Sequence, residues 1–497
     1  MERSSRTRFY DILPGALVWA TLIGAVFFSY AYPLIVICFV IAFDIYWLLR
    51  IAYYLPFLLS SWVRYRRSLK CDWQALAAAQ PGYDRVRHLL MLPTYREGID
   101  VLRDSFDKLL QCTTPLDRMI VCLGGEARDE ENFRVYADSI AKEYGDRFLS
   151  FTVTIHPDGL PNEIRGKGSN LNWMAHKMVP VIESLGIAPE DLIVHSFDVD
   201  TVAHPQYFSA VAHAFLTIPE PTRSSYQPVV LYNNNLWDAT APVRVAMFGT
   251  TFWLMTELAR AEGMMTFSSH SMSWRMLLDV GFWQKDIVSE DSRIFLQGLV
   301  HYHGDYRVTP IYVPVSMDSV AGSYLGSLGA LYKQMRRWAW GVENFPYMVN
   351  AFFSDPKMSW HVKIVYLFKQ VEGMYTWATA PLLITILGQL PFWLASDTYR
   401  SFALFQNTPF TLESLMQYAL VGAFVSAGLA LTLLPSRPPH VPRRNAVVVW
   451  VLQWLLLPIT FIVFGSIPAI DAQTRHMIGG TWRLGFNVTQ KRRVKTS

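Results

Sequence analysis

Three short acidic or basic constellations in this chain have the types and spacing that chemistry needs. The first is Asp198 and Asp200, in DLIVHSFDVDTVAH (Asp191–His204), where the apolar run Leu192–Val194 stops at two carboxylates. Carboxylates at i and i+2 beyond a strand end can hold a hard cation, Mg²⁺ or Mn²⁺, that neutralises a diphosphate. A solvated turn has the same spacing, so the pair does not decide alone. The second is Ser289-Glu290-Asp291, at a predicted helix N-terminus with Ser289 as its cap. There the acids either offset the helix dipole or serve catalysis, with Asp291, beside Glu290, accepting a proton from an attacking hydroxyl. The third is Lys333–Gly341, where Gln334, Arg337 and Trp338 at i, i+3 and i+4 put an amide, a guanidinium fork and an indole on one helical face. A fork suits a diphosphate and an indole a sugar ring, although a helix lying on a membrane surface is also rich in Arg and Trp.

Three loops supplement these groups. Asp158–Asn172 sets Arg165 and Lys167 among glycines just before a helix, a cradle for phosphate oxygens. It is no Walker loop, because six residues separate Gly159 from Gly166 and a glycine follows Lys167. Leu92–Gly98 carries Thr94, Tyr95 and Glu97 past a strand end, where α/β sheets receive nucleotides. In CLGGE, Gly124 and Gly125 permit close backbone approach and Glu126 is placed to bond a base or ribose. His301 and His303 lack a third ligand and read as surface residues.

The elements that position these residues belong to two regimes. Between residues 85 and 320, short β-type runs alternate with charged helical stretches, the pattern of a mostly parallel α/β domain. Strands are expected at Val86–Leu92, Met119–Leu123, Phe148–Ile155, Leu192–Phe197, Val229–Asn233 and Val308–Val313, and helices around Val101–Leu110, Glu130–Tyr144 and Asn170–Ser184. On either side the chain is apolar. No charge falls between Ile12 and Phe43, long enough for a helical hairpin broken near Pro33, and later apolar segments cover Met374–Ala395, Ser414–Leu434 and Ala446–Ile467. Asp44 is costly at membrane depth, and Arg50 is expected to snorkel to the headgroups. The expected organisation is a transmembrane hairpin (1–62), a cytoplasmic catalytic domain (85–320), amphipathic interface helices (321–372), C-terminal transmembrane helices (373–470) and a basic cytoplasmic tail (471–497).

Composition agrees with a membrane protein. Of 497 residues 52% are hydrophobic and 14% aromatic, more than one soluble core takes up. With 44 basic and 40 acidic residues the charge is too balanced to argue for nucleic acid. The basic residues cluster instead beside the spans: Arg3, Arg6 and Arg8 before the hairpin and Arg64, Arg66, Arg67 and Lys70 after it put both flanks in the cytoplasm. Three further full spans would then place the basic tail outside, so one segment is expected to be re-entrant, with Pro381 and Pro458 as the candidate breaks. Four scattered cysteines read as reduced thiols.

Taken in order, Asp198-Val199-Asp200, Ser289-Glu290-Asp291 and Gln334-x-x-Arg337-Trp338 between membrane helices resemble the membrane-integrated family 2 glycosyltransferases, which include cellulose, chitin and hyaluronan synthases. The tail residues Phe486, Val488, Thr489 and Lys491 look like the FxVTxK gating loop of bacterial cellulose synthase. The resemblance implies a nucleotide-sugar transferase fold of the GT-A type. Asp198 and Asp200 would bind metal and diphosphate, Asp291 would be the base, and Gln334, Arg337 and Trp338 would hold the diphosphate and acceptor. Thr94, Tyr95 and Glu97 would meet the nucleoside. Gly124-Gly125-Glu126 departs from the aspartate that usually ends the second strand, which leaves uridine specificity open, and Ser268–Ser271 departs from a glycine-containing acceptor loop. The expected activity is inverting transfer from a UDP-sugar to a growing polysaccharide at the bacterial inner membrane, with membrane lipids as surroundings and no protein partner indicated. Two rivals are a single transfer to a lipid acceptor and a transporter or sensor with a nucleotide-binding insert.

Overall fold

The computed structural model describes residues 5–320, 322–439 and 450–484. The gating-loop-like residues Phe486, Val488, Thr489 and Lys491 lie outside the described residues. Eight strands form one sheet: β1 (Arg87–Pro93), β2 (Met119–Glu126), β3 (Ser150–His156), β4 (Leu192–Ser196), β5 (Val202–Ala203), β6 (Ser224–Leu231), β7 (His270–Ser273) and β8 (Arg307–Ser316), in the order β3-β2-β1-β4-β7-β6-β8-β5.

The sheet is more mixed than the sequence pattern suggests. β1, β2, β3 and β4 pair in parallel, as do β6 and β8, whereas β7 runs antiparallel to both β4 and β6, and β5 antiparallel to β8. β7 escapes a periodicity search because HSMS is short and polar, yet all four residues are buried and its backbone closes the gap between two half-sheets. β6 starts before the apolar run expected to form it. Its Pro228 has no N–H for a ladder, and the register against β8 shifts between Pro228 and Val229.

β2 shows why two glycines stand near its end. A Cβ on Gly124 would run into Met174, and one on Gly125 into Phe133. Successive strand residues face opposite sides. The Lys167–Ser184 helix, which bears Met174, therefore lies on one face of the sheet and the Glu130–Tyr144 helix, which bears Phe133, on the other. The close approach that these glycines permit is made by packed side chains of the fold.

Four described helices or helical runs are long and apolar enough to cross a membrane: Arg8–Ala31, Pro33–Ser68, Ala403–Thr432 and Trp450–Ile478. The apolar segment at Met374–Ala395 lies on a broken pair, Trp360–Thr385 and Leu387–Leu394, bent by 44°. Beyond Pro458 the Trp450–Ile478 run also changes, passing through a π-helical turn at Ile462–Ser466. Arg50 is paired within the helices: its guanidinium bonds Glu372 on the Trp360–Thr385 helix at 3.1 Å and lies 4.9 Å from the Trp47 and Tyr54 ring centres. An interhelical partner satisfies the charge within the bundle. Between the sheet and the spans run the helices Tyr324–Ala339 and Asn344–Ser354.

Candidate active site

β4 ends at Ser196, and the chain turns through Phe197–Asp200 beyond its carboxyl edge. The two aspartates do not share one environment. Asp198 is partly exposed, whereas Asp200 is wholly buried, its Oδ2 accepting the Asp318 N–H at 3.2 Å. The turn also leans on β7's approach: Ser269 Oγ lies 3.4 Å from the Asp198 amide and 2.7 Å from Thr201 Oγ1.

Lys167 joins the motifs. It is the first residue of the Lys167–Ser184 helix and is buried, with Nζ 3.1 Å from Asp198 Oδ1, 3.0 Å from Asp291 Oδ1 and 3.8 Å from Glu290 Oε1. Burial disfavours its ammonium form, but Asp198, Asp291 and Glu290 together hold its pKa above the ordinary lysine value. Gly168 makes this meeting possible, since a Cβ there would stand 3.0 Å from Glu290 Cβ and 3.1 Å from the Gln284 carbonyl. The same glycine that spoils a Walker pattern lets two helix N-termini converge. Arg165, expected in the same cradle, instead forms a two-point pair with Asp158, at 2.8 Å for each bond.

Glu290 and Asp291 open the Glu290–His301 helix. Burial pushes the Glu290 carboxyl well above its ordinary range and the Asp291 charge adds to the rise, while Lys167 and Arg337 oppose it. Ser289 does not cap this helix through its side chain. Its hydroxyl donates to Glu343 Oε1 at 2.7 Å. Asp291 has two further neighbours: Thr266 Oγ1 donates to its main-chain carbonyl at 2.7 Å, and His270 Nδ1 lies 4.0 Å from its Oδ1. Burial holds the His270 imidazole below its usual pKa, and Nδ1 sits 2.6 Å from the Ser268 carbonyl.

Trp338 packs on Tyr232, with ring centres 5.7 Å apart. Tyr232 is buried, and burial raises its phenol; Asp198 and Asp291 add to the rise while Ser268 and Arg337 oppose it. These influences place Tyr232 among the acids and the fork, a position no motif foretold because the residue merely follows β6 in YNNN. Gln334 is buried on the same helix, its Oε1 without a hydrogen-bond partner in the described structure.

The residues expected to meet the nucleoside lie past the ends of β1 and β2. Thr94 is buried with its N–H on the Gly124 carbonyl at 2.7 Å. Glu97 folds back to accept the Tyr95 N–H at 2.6 Å. The Glu126 carboxylate is buried and bound by Arg128, whose guanidinium lies 4.2 Å from the Tyr95 ring centre. Glu126, Arg128, His156, Asp158, Glu163 and Arg165 line a cleft there.

Among the described residues no group of three or more His, Cys, Asp or Glu is arranged to hold a metal ion by itself. Asp198 and Asp200 are hard oxygen donors, and Mg²⁺-type ions commonly take one or two carboxylates and complete their shell with phosphate oxygens and water. Both aspartates are of the type that an ion bound together with a diphosphate would take, Asp198 from a partly exposed position and Asp200 from a buried one.

The profile of the family described as Glycosyl transferase family group 2 matches residues 193–463, more than half of the chain. No curated protein matches the chain in sequence. Among solved structures, mannosyltransferase PcManGT from Pyrobaculum calidifontis, in complex with GDP-Man and Mn²⁺, aligns at TM-score 0.39 and 17% identity, covering 85% of this chain and 98% of its own. S. aureus TarS 1–349 in complex with UDP-GlcNAc aligns at 0.33 and 13%, covering 69% and 92% respectively.

Proposed function

The chain belongs to glycosyl transferase family group 2, and on that premise we propose that it is a membrane-bound inverting transferase that moves a sugar from a nucleotide sugar, a UDP-sugar by our reading, to a growing polysaccharide. The observation that carries this reading is the convergence of Asp198, Glu290 and Asp291 on the Lys167 ammonium. On this reading one centre combines a base, Asp291, a cation, Lys167, and a carboxylate for the metal, Asp198.

In the proposed reaction Asp291 takes the proton of the acceptor hydroxyl. The hydroxyl oxygen bonds the anomeric carbon, and the bond from that carbon to the phosphate oxygen breaks, its electron pair leaving on the nucleoside diphosphate. Lys167 and Arg337 face the charge that develops there. Mg²⁺ or Mn²⁺ on Asp198 and Asp200 would neutralise further diphosphate charge. One displacement inverts the anomeric centre: the acceptor hydroxyl is the nucleophile, Asp291 is its base, and no side chain forms a bond to the sugar. Glu290, held toward its neutral form, keeps the pocket from accumulating a third negative charge. Thr94, Tyr95, Glu97 and Glu126 are assigned to the nucleoside, Gln334 and Trp338 to the diphosphate and acceptor end. The site opens toward the cytoplasm of a bacterial cell, where nucleotide sugars are made.

Membranes carrying the protein, given labelled UDP-glucose, UDP-N-acetylglucosamine, UDP-glucuronate or GDP-mannose with Mn²⁺, are expected to form a large labelled product with one UDP-sugar, and none in EDTA. Asp291→Asn, which keeps the shape but cannot take a proton, is expected to bind the donor normally and turn over roughly 10²–10⁴-fold more slowly. Turnover unchanged in Asp291→Asn would refute the base, and a single labelled sugar on lipid would replace the polysaccharide acceptor.

A further inference from the structure

A helix N-terminus leaves amides to be satisfied, and the Glu290–His301 helix has this done from outside. Glu343 Oε1 accepts the Val288 N–H at 2.9 Å, the Ser289 N–H at 2.8 Å and the Ser289 hydroxyl at 2.7 Å. Its Oε2 accepts the Trp340 indole N–H at 3.0 Å. A second set of bonds runs beside the first. Arg293, one turn into the helix, donates Nε to Asn344 Oδ1 at 2.8 Å and Nη2 to the Glu343 carbonyl at 3.1 Å, while Asn344 Nδ2 donates to Ser292 Oγ at 2.8 Å.

Glu343 closes the 3₁₀ turn Trp340–Glu343, which follows directly on the helix carrying Gln334, Arg337 and Trp338. One carboxylate therefore ties the segment bearing Asp291 to the segment bearing the fork and the indole. It also relieves the acids of capping: with a negative charge already set before the helix, Glu290 and Asp291 turn to Lys167. The far side of the turn is seated on the membrane helices. Trp340 packs against His476 with ring centres 5.5 Å apart, and His476 Nε2 lies 3.4 Å from Asp11 Oδ1.

We propose that Glu343 is a positioning residue for sugar transfer, holding Asp291 in register with Arg337 and Trp338 so that base, leaving group and acceptor meet in one geometry. It rests on the glycosyltransferase reading and adds to it a residue outside the three motifs. Misplacement of a reacting group by about 1 Å can cost about 100-fold in rate. Ground-state binding of the donor also draws on groups outside this tie, the nucleoside loop and Lys167, so loss of register is expected to cost it less than it costs the reaction.

The test measures kcat per donor-binding site, donor KM and thermal stability for Glu343→Ala, Glu343→Gln and the double variant Glu343→Gln/Trp340→Phe. Glu343→Ala is expected to lose about 10- to 100-fold in kcat with donor KM within about twofold. In Glu343→Gln the amide oxygen still serves Val288 and Ser289, but the amide N–H₂ opposes the Trp340 N–H. Its kcat should fall less, and removing the indole N–H in the double variant should restore part of the loss. Counting kcat per donor-binding site separates positioning from folding, because unfolded molecules bind no donor. Wild-type kcat in Glu343→Ala, a KM that rises as steeply as kcat falls, or no recovery in the double variant would each overturn the proposal. Absence of transfer by wild-type membranes from any nucleotide sugar would instead overturn the activity on which it rests.

Discussion

At the residue scale, the centre is governed by one ammonium among three carboxylates. Lys167 Nζ lies 3.1 Å from Asp198 and 3.0 Å from Asp291 but 3.8 Å from Glu290, and Glu290 is held toward its protonated form, first by burial and then by Asp291. This has a consequence for stability with a definite sign. A carboxyl whose pKa is raised on folding keeps a proton in the native state that the unfolded chain has already released. Native stability from this group is therefore full below the ordinary carboxylate range and is lost as pH rises through the raised value. Glu290→Gln is neutral at every pH and cannot show that loss. Melting temperatures across mildly acidic to mildly alkaline pH are expected to fall more steeply for the wild type than for Glu290→Gln; parallel curves would mean that Glu290 is ionised throughout.

The element scale explains how two helix N-termini can meet so closely. The Lys167–Ser184 and Glu290–His301 helices are brought together at Gly168, where a methyl group would press on Glu290 Cβ and on the backbone carbonyl of Gln284. Alanine is the better helix former by roughly 1 kcal/mol. Overpacking against backbone, which cannot swing away as a side-chain tip can, costs about 1–3 kcal/mol. Crowding therefore wins. Gly168→Ala is expected to lower stability by up to about 2 kcal/mol net and to reduce turnover by separating Lys167 from the acids. A variant as active and as stable as the wild type would show that the two N-termini have room to part. Gly124 and Gly125 play the corresponding part on β2, where Met174 and Phe133 approach from opposite faces.

At the scale of the whole molecule, the spans set which side of the membrane the site faces. If the four described helices long and apolar enough to cross, Arg8–Ala31, Pro33–Ser68, Ala403–Thr432 and Trp450–Ile478, are the crossings, they return the chain to the side on which it began. With four crossings, the pair Trp360–Thr385 and Leu387–Leu394, bent by 44°, would be re-entrant, and we propose that the sheet and both basic termini lie on the cytoplasmic side. In a chain whose four native cysteines are replaced, Ser497→Cys is expected to react with a membrane-impermeant thiol reagent only after cells are opened. Labelling of intact cells would make the bent pair a fifth crossing and place the tail outside.

The sequence by itself determined a good deal: the apolar hairpin, the parallel strands β1 to β4, the start of the Glu290–His301 helix, and the three motifs. These are local signals, because uncharged runs, period-two strands and i, i+3, i+4 spacing are written along consecutive residues. What only the tertiary structure decided is how distant segments meet. β7 is four buried residues whose strand identity comes from partners on both sides. Lys167 stood in a loop reading, and only the convergence of two helices makes it the hub of three acids. Asp200 shares a motif with Asp198 but is drawn inward by the Asp318 amide. Tyr232 and Glu343 belong to no motif at all; the first gains its place from Trp338 and the second from the amides of Val288 and Ser289. Hydrogen bonds and charge pairs between residues tens to hundreds of positions apart leave no period in a sequence, so spacing alone cannot disclose them.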